Sequence, residues 1–93
     1  MTETSEARLK RMRMRSWRRG TKEMDLVLGP FADTHLQALS EADLLTYDLL
    51  LEENDQDLMA WLLGPSPAPA PIAALLSRIG DLAMKRNIAG NLR

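Results

Sequence analysis

Cysteine is absent from this 93-residue chain, and histidine occurs once, as His35. The first absence excludes disulfide stapling and thiolate metal or redox chemistry, and the second excludes a multi-histidine metal site. No apolar run approaches the roughly 20 residues that span a bilayer, so membrane insertion is not expected. The first residues are charged and lack an apolar core, which does not read as a secretory signal. Glu3 and Glu6 argue against a mitochondrial presequence. The expectation is a soluble, cytoplasmic protein. The glycines form neither a GxGxxG turn nor a phosphate-binding loop, and the ligand spacing of an EF-hand is missing. With no partner nucleophile in view, His35 reads as a packed or surface residue. The acidic run Glu52, Glu53, Asp55 and Asp57 reads as a solvated helix end. No acid/base or metal constellation remains, so a stand-alone enzyme is not expected.

Charge is present but segregated. Residues 1–22 hold eight of the twelve Lys and Arg, with Glu3 and Glu6 as their only acids. Residues 23–77 hold ten acids and no Lys or Arg, and basic residues return at Arg78, Lys85, Arg86 and Arg93. Two readings stand side by side: a dipolar molecule steered toward a partner, or an acidic middle neutralised by its own ends. The basic stretch from Arg8 to Arg19, with Trp17 to stack on a base, has the charge density that phosphate contacts need. The adjacent acidic body opposes phosphate and no nucleic-acid-binding signature accompanies the stretch, so nucleic acid is not expected as a partner.

β-Branched residues are few and no segment alternates cleanly, so the pattern is helical almost throughout. A first helix is expected over about residues 5–19, with Leu9, Met12 or Met14, and Trp17 as its apolar positions. Gly20 is placed to end it in the left-handed conformation. A second helix starts near Thr21 with the stripe Met24, Val27, Leu28 and Phe31. Gly29-Pro30 predicts a kink or restart. Ser40 to Asp43 reads as an N-cap for a third helix carrying Leu44, Tyr47 and Leu51, flanked by Leu45 and Leu49. Asn54-Asp55 caps a fourth helix with Leu58, Trp61 and Leu62, closed by Gly64-Pro65. Residues 65–71 are Pro/Ala-rich and read as an extended linker. A last helix carries Ile72, Leu75, Leu76, Ile79 and Leu82, with Pro71 in its first turn and Gly90 marking a frayed end. The sum is an all-α, single-domain bundle of about five helices: a core over 1–64, a linker over 65–71, and a helix over 72–93 packed on the core. At this length the domain is marginally stable and has no room for a deep substrate cavity.

The most informative stretch joins a basic helix end to an acidic helix start: Trp17-Arg18-Arg19-Gly20-Thr21-Lys22-Glu23-Met24-Asp25. Arginine in a last turn, glycine beyond it and glutamate in a first turn suit any helix–helix corner. The same Arg-Gly-x-x-Glu, followed by Pro30-Phe31, Leu39-Ser40 and the segment Leu50-Leu51-Glu52-x-x-Asp55-x-Asp57-Leu58-x-x-Trp61-Leu62, resembles a small family of flavoprotein assembly factors, the flavinators. The resemblance covers about residues 8–63 and implies a YgfY-like helical bundle. It implies an assembly factor that promotes covalent attachment of FAD to the flavoprotein subunit of succinate dehydrogenase, with the fumarate reductase flavoprotein as a second candidate partner. No stably bound cofactor is implied, since the FAD is held by the partner, and the chain is expected to act as a monomer. Carried onto this chain, Arg19, Gly20 and Glu23 meet the partner, and Trp17, Arg18, Lys22 and Asp25 extend the patch. Leu58, Trp61 and Leu62 read as core. The competing reading is a generic helical adaptor with a basic docking arm.

Overall fold

Four of the five helices begin at a side-chain cap that the sequence supplies. The structure, a computed structural model, describes residues 3–91, with side chains described through residue 85. Thr4 accepts from the amide of Ala7 at the start of α1 (Ser5–Trp17), and Thr21 from that of Met24 at the start of α2 (Lys22–His35). A 3₁₀ turn (Leu36–Ala38) follows. Ser40 caps α3 (Glu41–Leu51) through the amide of Asp43, and Asn54 caps α4 (Asp55–Leu63) through that of Asp57. Each such cap satisfies an amide that the first turn leaves without a helical partner, worth about 1 kcal/mol. Residues 64–69 carry no helix or strand, and α5 (Ala70–Asn91) begins with Pro71 in its first turn. Gly90 is the next-to-last residue of α5. Among the described residues all regular structure is helical, as the sequence leads one to expect.

Three local expectations are corrected. The first helix stops at Trp17, and Gly20 is not left-handed: no described residue has a positive φ. Arg18 closes the helix instead, with φ −122° and ψ 50°. Pro30 does not interrupt α2, which runs unbroken through it. Part of the steric penalty of a proline falls on the Cβ of the residue before it, and that residue is Gly29. On α3, Leu45 and Leu49 are exposed while Leu50 is fully buried.

The core lies where α1, α2, α3 and α5 converge. Met12, Met24, Leu28, Phe31, Tyr47, Leu50 and Leu58 are fully or almost fully buried, joined from α5 by Ile72, Leu75, Leu76 and Ile79. One polar pair is buried among them: the hydroxyls of Ser16 and Tyr47 share a 2.6 Å hydrogen bond, and Ser16 also donates to the carbonyl of Met12 at 2.7 Å. Every buried side-chain polar atom has a partner among the described residues.

Along one edge, α1 is fastened to α3 and α4 by a row of arginines. Arg8 pairs with Glu41, Arg11 bidentately with Asp48, Arg15 with Glu52 and Arg19 with Asp55, all at 2.8–2.9 Å. Arg8, Arg11 and Arg15 recur at helical spacing and so share one face of α1, while Arg19 extends the row from the turn beyond it. The segregated charge is therefore largely matched within the molecule, which favours the self-neutralising reading.

Candidate functional site

The turn between α1 and α2 is built by two carboxylates that bind its backbone. The amide of Arg19 donates to Asp25 Oδ1 at 2.7 Å, and the amides of Gly20 and Thr21 donate to Asp55 Oδ2 at 2.5 and 3.1 Å. Three successive amides are thus satisfied, one by the first turn of α2 and two by the first residue of α4. Gly20 eases the approach here: a Cβ would lie a tight 3.1 Å from Asp55 Oδ2.

The guanidinium of Arg19 locks this arrangement from beneath. It donates through Nε to Asp55 Oδ1 at 2.8 Å, through Nη1 to the carbonyl of Leu51 at 2.8 Å, and through Nη2 to that of Glu53 at 2.6 Å. A planar fork with fixed donors suits three acceptors held by one turn, here the turn between α3 and α4. With its side chain 9% exposed, Arg19 faces inward. Its contribution to the corner is to fix the shape, and its donors are engaged within the chain. Asp25 likewise serves the turn.

The other candidate residues face solvent. Arg18, Lys22 and Glu23 are exposed and have no ion-pair or side-chain hydrogen-bond partner among the described residues. Trp17 is 40% exposed; its indole lies across Gly29, and Nε1 donates to both carboxylate oxygens of Asp33 at 3.2 Å. A Cβ on Gly29 would stand 2.6 Å from Cε3 of that indole, so only glycine lets the ring lie flat on α2. The ring is thus fixed yet partly open at the edge of the corner. Sequence reading did not single out Asp33 or the role of Asp55 as the anchor of the turn. Asp55 carried a signal, as part of the Leu-Leu-Glu-x-x-Asp segment, but not its pairing with residues 34–36 positions earlier.

Beside the corner lies a shallow depression of about 550 Å³, lined by Arg11, Met14, Arg15, Arg18, Arg19 and Asn54 among others. Arg11, Arg15 and Arg19 are engaged by acids of the chain, which leaves Arg18 as the unpaired cation there among the described residues. No group of three or more His, Cys, Asp or Glu among the described residues is arranged to hold a metal ion. His35 packs its ring against Phe31 at 5.3 Å between centroids. None of the described helices is long and apolar enough to cross a membrane.

The corner is exposed, of mixed charge and held by hydrogen bonds within the chain, on a small helical scaffold. Comparison with known proteins supplies the class. A family described as "Flavinator of succinate dehydrogenase" matches residues 10–83, and the chain belongs to that family. The match runs past the resemblance seen in the sequence, through the proline-rich segment and into α5. The chain is 40% identical over 63 residues to the "FAD assembly factor SdhE" of Haemophilus ducreyi, spanning 67% of this chain and 77% of that protein. It is 41% identical over 54 residues to the protein of the same name from Shewanella oneidensis, 58% of this chain and 66% of that one. Over 81 residues it is 36% identical to "Succinate dehydrogenase assembly factor 2, mitochondrial" of Mycosarcoma maydis. That alignment covers 87% of this chain and about a third (34%) of the fungal protein.

Proposed function

We propose that this chain is a non-catalytic assembly factor that docks on the flavoprotein subunit of succinate dehydrogenase while its FAD is still non-covalently bound. The corner supplies the contact: Gly20, Lys22 and Glu23 face outward, Trp17 and Arg18 flank them, and Arg19 and Asp25 hold the backbone beneath. Covalent flavinylation joins a histidine of the flavoprotein to the 8α-methyl carbon of the flavin. A docked helper favours that bond by holding the partner so that the two groups stand in near-attack geometry. The chain itself holds no FAD in this reading. It acts as a monomer in the cytoplasm, and the fumarate reductase flavoprotein is a second client.

The observation that carries the proposal is that the corner is built in advance. Five hydrogen bonds to Asp55, Leu51 and Glu53 set its backbone before any partner arrives. Rigid presentation lowers the ordering cost of association. The test is in-gel flavin fluorescence of the denatured flavoprotein, in which only covalent flavin survives. Deletion should remove the signal, and the wild-type protein should restore it. Glu23→Arg should fail to restore it although the residue is exposed and its replacement spares the fold. Fluorescence indifferent to deletion would overturn the assembly reading and leave a general adaptor.

A further inference from the structure

Next to the corner, an apolar groove of about 570 Å³ opens between α2, α4, the proline-rich segment and α5. Leu26 and Val27 line it from α2, Trp61 and Leu63 from α4, and Leu76 and Met84 from α5. Leu26, Leu63 and Met84 are 52%, 75% and 63% exposed, so three of the seven large hydrophobic side chains exposed on the described surface gather on this one groove. Trp61 and Leu62 are partly buried and pack against the core, with Leu58 fully inside it, so Trp61 serves the core and the groove wall together. Solvent-exposed apolar side chains clustered in a concave site mark a contact surface rather than the random scatter of a monomer's exterior.

The charge on the groove narrows what fits it. Glu23 and Asp81 both lie on its wall, and among the described residues neither has an ion-pair partner. Two unpaired carboxylates disfavour an anionic occupant such as a fatty acid, a nucleotide phosphate or an acidic lipid surface. They favour apolar side chains flanked by lysine or arginine. Met59 and Met84 give walls that adapt to an irregular peptide surface. Glu23 belongs to both the groove and the corner, so the two surfaces are continuous.

We infer that the groove is a second contact for the flavoprotein partner and receives an amphipathic segment of it, with apolar side chains inserted between α2, α4 and α5 and basic residues set against Glu23 and Asp81. The inference rests on the flavoprotein being the partner. The corner and the groove then act as two linked anchors, one polar and one apolar, which bind more tightly together than either does alone.

The test measures binding of the intact chain to flavoprotein subunit produced without this chain, so that its FAD is not yet covalently linked. Three proteins are compared: wild type, Glu23→Arg at the corner, and the double variant Leu63→Lys with Met84→Lys in the groove. Both groove positions are well exposed, so the thermal unfolding of the double variant should match the wild type. Its affinity should fall by about tenfold or more, the loss expected when apolar anchors are replaced by cations facing a basic segment. Asp81→Lys should weaken binding in the same direction. Full affinity in the double variant, with binding lost in Glu23→Arg, would overturn the groove and leave the corner intact. Absence of binding by the wild type would overturn both readings together. A wild type that sediments as a dimer and a double variant that sediments as a monomer would make the occupant a second copy, and would also overturn the inference.

Discussion

A glycine between two helices is commonly explained by a left-handed backbone, but Gly20 sits there for proximity to Asp55, with no positive φ. The distinction changes what substitution should do. Gly20→Ala asks a carboxylate oxygen 3.1 Å away to yield by a few tenths of an ångström. It should reduce stability by no more than about 1 kcal/mol in a chemical denaturation experiment. Gly29→Ala is different in kind, because the new methyl would enter the indole of Trp17. The ring should swing off α2, and in a Trp61→Phe background the remaining tryptophan emission should shift to longer wavelength. Arg19→Lys removes the fork that serves three acceptors and leaves at least one carbonyl unsatisfied, so stability should drop by about 1–3 kcal/mol. Glu23→Arg, on the open side, should shift the same curve by no more than about 1 kcal/mol, the loss of a favourable first-turn charge. The motif residues were legible in the sequence; which of them face inward was not. That is decided by Asp55, whose spacing from Arg19 bears no periodic relation to the motif.

At the scale of the helices, the caps were readable because they are local. Ser40 and Asn54 each bond an amide three residues ahead, and such bonds depend on neighbouring sequence alone. The buried face of α3 was readable only in part: Tyr47 and Leu51 are buried and Leu44 packs against the core as expected, but Leu50 was missed. Leucines stand at 44, 45, 49, 50 and 51, so every side of that helix offers an apolar stripe and periodicity cannot choose between them. The choice falls to Tyr47, whose hydroxyl must meet Ser16, and this turns Leu50 and Leu51 inward. Leu50→Ala should therefore cost about 2–5 kcal/mol in the unfolding free energy. Leu49→Gln should stay within about 0.5 kcal/mol of the wild type. The unbroken run of α2 through Pro30 was hidden for a related reason. Its neighbour Gly29 had been read as a second helix breaker, whereas it eases the proline and seats Trp17.

For the molecule as a whole, the segregated charges leave a signature in pH. Hydrogen bonds from Arg11 hold the Asp48 carboxyl below its ordinary value of 3.8, against a smaller opposing effect of burial. A depressed carboxylate stabilises the fold above its unfolded pKa, and that contribution disappears as pH falls through the folded one. The thermal midpoint should therefore decline below about pH 4, and Asp48→Asn should flatten the decline. At the alkaline end, burial pushes the Tyr47 phenol up to about 12, with the Ser16 hydrogen bond opposing it. A raised phenol favours the fold fully below the unfolded value of 10.0, and the contribution is lost as pH rises toward 12. Stability should then fall between those limits, and Tyr47→Phe should remove that limb of the profile. Net charge alone gave no sign of either effect, because the sum of −1 conceals the individual pairings. The tie between Arg19 and Asp55 has a last consequence. Residues 17–25 cut out as a peptide would carry every letter of the motif and none of its shape, since the anchor lies 36 positions downstream of Arg19. The corner therefore exists only in the folded chain, after the start of α4 has come to rest against the turn.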